Sequence, residues 1–545
     1  MPHDAGSARD AGLAARDASR RRLPRVDRAS LIALGLGAIT VAGFAPLYLY
    51  PLPVFTLAVL MWMWERANSA KRAAHLGWWF GLGMFLTGVS WVYVSLHTFG
   101  AMPLPLAAFF TLLFCAFLAL FPALAGYAFH AVRAPAWMKL VLVAPAAWTL
   151  AEWTRGWIFT GFPWLAAGYS QVPVSPLAGY APILGVYGLS LLTLVSAGLL
   201  VSLIDKARAL KREGEAASSR RERAGFAALL GILVAIWLGG YTLKGVRWTQ
   251  PEGEPISVTL LQGNIPQAIK WTSEGLRTTL NRYRELALAS DSKLIVFPET
   301  AIPLFLRDIP SNYLGDIADH ARHNGGDALL GVPELLPEGN YYNSVISLGT
   351  SPMQAYRKSH LVPFGEFIPL RPVLGWLVSV LAIPLQDFSR GSLDQKPLAV
   401  AGQRVAVDIC YEDAFGEEII RQLPAATLLV NVSNVAWFGH SIAPYQHLQI
   451  SQARALETGR YMMRATNTGM TGVVDERGNV VQIAPQFSTA TVTTRVQGYT
   501  GSTPYVRMGN SAAIALCLVM LAVGLLFARL AQTGEHRIDR SRETR

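Results

Sequence analysis

The chain has 545 residues, of which 52% are hydrophobic and only 15% charged, against roughly 25% charged residues in ordinary soluble domains. Its formal net charge is +11, but the arginines and lysines cluster beside long apolar runs, a placement that membrane topology explains and nucleic-acid binding does not. Of its 3 cysteines, Cys115 and Cys517 lie inside apolar runs, which leaves Cys410 without an obvious partner and excludes a disulfide framework.

Residues 1–28, rich in Ala, Asp and Arg, are expected to form a disordered basic tail. Apolar runs then recur at Leu31–Tyr48, Pro53–Trp64, Trp78–Leu96, Leu104–Val132, Leu140–Trp153, Ile183–Ile204, Phe226–Leu243 and Ala512–Leu530. Most approach the roughly 20 residues that cross a bilayer, so about eight spans are expected. Seven would lie within residues 29–244 and the eighth within 508–531, ahead of a tail at 532–545. Basic clusters follow the second span (Arg66, Lys71, Arg72), the fourth (Arg133, Lys139), the sixth (Lys206 to Arg223) and the last (Arg537 to Arg545). With this count every cluster falls on the side of the N-terminus. The positive-inside rule makes that side cytoplasmic and leaves residues 245–507 on the outer side of the membrane.

That outer block alternates strand-like and helix-like segments. Val258–Gln262, Leu294–Phe297, Ala328–Val332, Ser344–Leu348, Val405–Cys410 and Leu428–Val432 read as strands. Glu274–Ala289, Asn312–His323, Glu417–Leu423 and Gln446–Thr458 read as helices, and alternation of this kind predicts an α/β domain. Leu374–Leu385 is apolar but too short to span, which fits either a buried core helix or a loop dipping into the lipid surface.

Three chemistry-bearing residues stand at the ends of strand-like runs: Glu299 after Leu294–Phe297, Lys358 after Tyr356-Arg357, and Cys410 after Arg404–Ile409. A carboxylate beside a thiol can take its proton as attack begins, and an ammonium at the reacting carbonyl can stabilise the oxyanion. Together they suit acyl transfer through a thioester. By residue type alone the same set suits structural ion pairs around a buried cysteine equally well. His360, His440 and His447 have no zinc-site spacing and no accompanying thiols, so no metal is expected.

The order of these residues resembles the nitrilase superfamily, and the surrounding motifs resemble its membrane-embedded branch, the apolipoprotein N-acyltransferases. The matching segments are Gln262-Gly263-Asn264-Ile265-Pro266-Gln267 with Lys270-Trp271, Phe297-Pro298-Glu299-Thr300, Tyr356-Arg357-Lys358, and Leu361-Val362-Pro363-Phe364-Gly365-Glu366. Phe388-Ser389-Arg390-Gly391, Ile409-Cys410-Tyr411-Glu412-Asp413, Ala436-Trp437-Phe438-Gly439 and Arg464-Ala465-Thr466-Asn467 follow, and Gly161-Phe162-Pro163-Trp164 matches in the membrane part. The resemblance implies a helical membrane bundle joined to an αββα nitrilase-like sandwich at 245–507. It implies Glu299 as general base, Lys358 as oxyanion stabiliser and Cys410 as nucleophile. Trp271, Glu366, Tyr411, Glu412 and Trp437 would bind substrate or support the triad, although Glu366 and Glu412 also suit plain ion pairs with Lys358 or an arginine. The family pattern has acids where this chain has Val435 and His440, which puts the detail of that loop in doubt.

The reaction so implied moves a fatty acyl chain from a membrane phospholipid, with phosphatidylethanolamine the expected donor, to the amine of diacylglyceryl-cysteine lipoproteins. It needs no cofactor and belongs in a bacterial inner membrane. Two other readings stay open at this stage: a membrane-tethered amidase with water as acceptor, and a transporter or lipid-binding module in which Cys410 is inert. Few ionisable residues interrupt the spans, which weakens ion-coupled transport.

Overall fold

Side chains at the first turns start the membrane helices where the apolar runs begin. Asp27 caps α1 (Arg28–Thr40) by accepting the Ser30 N–H, and Ser69 caps α3 (Ala70–Gly88) by accepting the Arg72 N–H. Between them lies α2 (Pro51–Glu65). A computed structural model describes residues 26–213, 220–368, 372 and 387–543. Most of the expected N-terminal tail and the apolar stretch Leu374–Leu385 lie outside those residues.

Four helical stretches are long and apolar enough to cross a membrane: Leu104–Ala131, Pro176–Arg212, Arg220–Leu243 and Ser511–Leu530. A fifth forms if Ala70–Gly88 and Trp91–Phe99, bent by 49° at their junction, make one span. Arg28–Gly43 and Pro51–Glu65 are apolar but shorter. The expected run Leu140–Trp153 is helical from Ala136 to Arg155, with a π-turn at Lys139–Val143. Small residues let α1 and α3 touch backbone to backbone: a Cβ on Gly37 would lie 1.9 Å from the Phe80 carbonyl oxygen, and one on Gly83 2.0 Å from that of Leu34. The helix Ala181–Glu213 is broken at Gly185, which has φ +64 and lies under the ring of Tyr505.

The α/β domain is a four-layer sandwich. The strands that position the site are β1 (Thr249–Gln262), β2 (Leu294–Val296), β5 (Ala355–Arg357), β7 (Gln403–Ile409), β8 (Leu428–Ser433) and β9 (Met462–Thr466). With β3 at Asp327–Leu335, β4 at Tyr341–Gly349, β6 at Leu398–Val400, β10 at Gly472–Val474, β11 at Val480–Ile483 and β12 at Ala490–Gly501, one six-stranded sheet has the order β12-β1-β2-β3-β4-β5 and the other β11-β10-β9-β8-β7-β6. Period-2 alternation sorts the faces. Val258, Leu260, Leu294 and Val296 meet Val405, Val407, Leu428 and Val430 between the sheets. Leu261, Ile295 and Phe297 face the helices Ser273–Leu288 and Ser311–His323 instead. On the far side, the second sheet packs on Ala443–Thr458.

The expected helix Glu417–Leu423 is short and irregular: an α-helical turn at Gly416–Ile419 passes into a 3₁₀ turn at Ile420–Gln422. Strand β9 was not legible because a buried arginine, Arg464, stands in its middle.

Ala443–Thr458 joins the two parts of the molecule. Every residue in it except Tyr445 is buried, since it lies between the second sheet and the helical bundle. Its polar residues therefore bond across the seam. The Gln446 Oε1 accepts from the indole N–H groups of Trp164 (2.7 Å) and Trp91 (3.3 Å). The Gln449 Oε1 accepts the Ala45 N–H at 2.9 Å, and its amide donates to the Val172 carbonyl at 2.8 Å. Gln452 accepts from the Tyr48 hydroxyl at 3.1 Å. At the opposite end of the bundle the basic clusters gather: Arg72 pairs with Asp27, His130 bonds the Ala67 carbonyl, and Lys139 lies in electrostatic reach of Glu65.

One consequence is testable. Arg454 and Glu457 form a 2.9 Å ion pair with both side chains 1% exposed, and Glu457 also accepts the Val186 N–H from the bundle. Glu457→Ala should destabilise the protein by about 3–5 kcal/mol, because it strands a buried guanidinium. Replacing both partners by Met and Leu should cost less, and thermal unfolding of the detergent-solubilised protein measures both.

Candidate active site

The site forms where the carboxyl ends of the parallel strands of both sheets converge, the usual location of sites in such sheets. Strands β1 and β2 run parallel in one sheet, and β7, β8 and β9 run parallel in the other. Glu299 follows β2, Lys358 follows β5, Cys410 follows β7, Asn434 follows β8 and Asn467 follows β9.

Lys358, 1% exposed, lies between two carboxylates. Its Nζ donates to the Glu366 Oε1 at 2.9 Å and more weakly to the Glu299 Oε1 at 3.4 Å. The Asn343 amide donates to both of those oxygens, at 2.8 Å to Glu299 and 3.0 Å to Glu366. The backbone N–H of Asn434 donates to the other oxygen of Glu299 at 2.8 Å, and that of Val362 to the other oxygen of Glu366 at 2.8 Å. Burial alone would raise the Glu299 carboxyl, but Lys358, the Asn343 amide, the Asn434 N–H and Lys270 outweigh it and hold the group below the usual carboxylate range. Burial alone would lower Lys358, and the two carboxylates instead push it above the usual ammonium range.

Cys410 opens a 3₁₀ turn, Cys410–Ala414, with φ +59, a conformation few non-glycine residues adopt. Its carbonyl is held by two donors, the Asn431 amide at 3.0 Å and the His447 Nε2 at 3.1 Å. The same Nε2 reaches the Asp413 carboxylate at 2.8 Å. Both of its partners are acceptors, so Nε2 carries the proton. The buried Nδ1 has no partner among the described residues, and burial and then Arg464 lower the imidazole's affinity for a second proton, so the ring is neutral. The surroundings push the Cys410 thiol up, first by desolvation and then by the charge of Glu299, while Lys358 pulls it down. At rest the sulfur is therefore a thiol.

The supporting residues separate. Glu366 joins the Lys358 cluster directly. Among the described residues Glu412 makes no ion pair. Its carboxylate accepts five hydrogen bonds, from the Ser359 N–H and hydroxyl, the His360 and Ile409 N–H groups and the Tyr356 hydroxyl. It thus ties the loop after Lys358 to the turn that bears Cys410. The Tyr411 hydroxyl donates to the Gly161 carbonyl at 3.1 Å, and its ring stacks beside Phe162 and Trp164. Trp437 lies on the seam, its carbonyl accepting from the Ser95 hydroxyl at 2.9 Å and its ring against Phe99. Trp271 is exposed.

Its neighbour Lys270 is the buried one, 3% exposed and in electrostatic reach of Glu299, with burial lowering its ammonium to about 8. Sequence reasoning did not single out Lys270, Asn343 or Asn434 as site residues. Lys270 stood inside a quoted motif, whereas the asparagines gave no signal, since nothing in sequence separates a site amide from a surface one. Among the described residues no group of three or more His, Cys, Asp or Glu is placed to hold a metal ion.

The "Apolipoprotein N-acyltransferase N-terminal domain" family matches residues 36–199, and the "Carbon-nitrogen hydrolase" family matches residues 257–505. The apolipoprotein N-acyltransferase of Nitrosomonas europaea is 55% identical over 91% of this chain and 97% of its own length. The chain belongs to the apolipoprotein N-acyltransferase family. Its counterparts from Methylococcus capsulatus and Chromobacterium violaceum are 45% and 43% identical, over 95% and 92% of this chain and 99% and 94% of theirs. This apolipoprotein N-acyltransferase is a membrane protein with several candidate spans and a nitrilase-like α/β domain. The two positions at which acids were expected, Val435 and His440, lie at and just beyond the 3₁₀ turn Val435–Phe438. Val435 is 1% exposed and follows the Asn434 N–H that bonds Glu299, so an acid there would add a like charge beside that carboxylate. His440 is exposed and stacks on Phe487.

The opposing influences on the thiol predict its titration. Glu299→Gln should move the rate–pH profile of Cys410 alkylation by iodoacetamide to lower pH, and Lys358→Met should move it to higher pH. Cys115 and Cys517 are buried, so the signal belongs to Cys410.

Proposed function

We propose that this enzyme moves a fatty acyl chain from a membrane phospholipid, through a thioester on Cys410, to the α-amine of diacylglyceryl-cysteine lipoproteins, the last step of lipoprotein maturation. One observation carries the reading. Tyr411, next to the thiol, is held by the bundle loop Gly161–Trp164, so the nucleophile lies at the seam between the α/β domain and the apolar helices, where an acyl chain can arrive from the bilayer.

Glu299 takes the thiol proton as sulfur attacks the ester carbonyl of the donor, for which phosphatidylethanolamine is proposed. The Lys358 ammonium faces the oxyanion, and backbone N–H groups beyond Cys410 complete its stabilisation. On collapse Glu299 returns the proton to the departing lysophospholipid oxygen, and the thioester remains. The lipoprotein amine then attacks that thioester, Glu299 takes its proton, and the proton passes to the departing sulfur. Each step uses a group that the chain carries. Glu366 and Asn343 orient Lys358, Glu412 fixes the loops, and Trp271 and Trp437 are proposed to contact substrate.

The proposed setting is a bacterial inner membrane with about eight spans, seven of them within 29–244 and one at 508–531, and with the domain at 245–507 facing the periplasm. The gathering of Arg72, His130 and Lys139 at the bundle end remote from that domain supports this orientation. In a background without Cys410, a membrane-impermeant maleimide applied from outside should label Ser311→Cys and leave Arg133→Cys unlabelled. The opposite pattern reverses the orientation.

Intact mass after incubation with phospholipid alone tests the chemistry. A transferase stalls with one acyl group on Cys410, whereas a hydrolase using water turns over. Cys410→Ser should carry no acyl group, while Cys115→Ser and Cys517→Ser remain active. Glu299→Gln should lose acylation at neutral pH and partly regain it at high pH, where hydroxide ionises the thiol. Lys358→Ala should lose roughly 10²–10³ in rate at every pH, because its defect is in the transition state. Equal recovery of both variants would overturn the role assignment.

A further inference from the structure

At the end of the bundle remote from the α/β domain, α1, α2 and α3 enclose a cavity of about 370 Å³ that the acyl-transfer chemistry does not use. Its walls are of two kinds. Ile32, Val59 and Trp62 line an apolar side and are 54%, 39% and 37% exposed, so the cavity opens laterally onto the surface that faces lipid. Arg66, Arg72 and Asn68 line the polar rim.

Both guanidiniums are held in place. That of Arg66 lies 4.1 Å over the Trp62 ring, and that of Arg72 is paired with Asp27, the cap of α1. The flanking segments carry Arg28, Arg66, Lys71 and Arg72 against Asp27 and Glu65, which leaves an excess of positive charge. The first turns of α1 and α3 also lie here, through Ala29 and Arg72, so both positive helix ends point toward the rim. The other ends of α1 and α2 lead to Tyr48 and Tyr50, which meet the Ala443–Thr458 seam and the Gly161–Gln171 region. The 13 residues of α1 therefore separate this cavity from the catalytic seam by about 20 Å.

We propose that this cavity binds one anionic phospholipid, its phosphodiester on Arg66 and Arg72 and an acyl chain along Ile32 and Val59. A zwitterionic lipid fits less well because its own cation meets the rim's positive charge, and a free phosphate would leave the apolar wall uncovered.

Native mass spectrometry of the full-length protein, released from nanodiscs of equal phosphatidylglycerol and phosphatidylcholine, tests the site. The wild type should retain phosphatidylglycerol in preference, and R66Q/R72Q should reduce that retention about tenfold or more. R220Q/R221Q, which removes basic residues elsewhere on the bundle, should leave it unchanged. If R66Q/R72Q does not fold, the thermal midpoint of the wild type decides: phosphatidylglycerol should raise it, and phosphatidylcholine or inorganic phosphate should not. No preference for phosphatidylglycerol in the wild type, equal retention by R66Q/R72Q, or an equal shift with inorganic phosphate would each overturn the proposal.

Discussion

Lys358 is buried between the carboxylates of Glu299 and Glu366, and the rest of the site is arranged around the cost of that burial. An isolated ammonium in such a place would lose its proton or unfold its surroundings. Two carboxylates stabilise it, and each is stabilised in turn: the Asn343 amide bridges them, and the backbone at Asn434 and Val362 donates to their outer oxygens. The shared ammonium favours the ionised form of Glu299, while desolvation, and then the charge of Glu299, favour the thiol form of Cys410. A resting thiol in a membrane enzyme is also less open to oxidation than a resting thiolate.

Behind Cys410 lies a second buried polar cluster that holds backbone. Asp413 accepts from His447, Ser451 and Arg464, and Arg464 also donates to Asn431. Asn431 and His447 then fix the Cys410 carbonyl in a left-handed turn. A strained backbone persists only where its surroundings over-determine it, and here a buried hydrogen-bonded network does so. The arginine in the middle of a buried strand thus has a structural reason: its charge holds the acid that orients the histidine.

The seam between domain and bundle is polar as well as apolar. Gln446, Gln449 and Gln452 recur at helical spacing along one face of Ala443–Thr458 and bond indoles, a phenol and backbone groups of the bundle. Hydrogen bonds of this kind fix register more strictly than apolar contact does. They keep the aromatic loop Gly161–Trp164 against Tyr411, and so keep the thiol at the boundary with the membrane part.

The sequence by itself determined β1 to β4, β7 and β8, the apolar helices and the placement of Glu299, Lys358 and Cys410 at strand ends. Period-2 and long apolar patterns are local, and the three residues stand in short motifs at strand ends. Glu366 was legible for the same reason, eight residues beyond Lys358. The tertiary structure decided what depends on distant chain meeting distant chain. Glu412 suited a supporting role or an ion pair in sequence, and only the fold shows that its carboxylate binds N–H groups from two loops. Asn343, Asn434, Lys270 and the three glutamines look like surface residues in sequence, since a polar side chain carries no record of its own burial. The bend after Gly88 and the shortness of Arg28–Gly43 and Pro51–Glu65 are likewise properties of packed helices, in which neighbours rather than composition set length and direction.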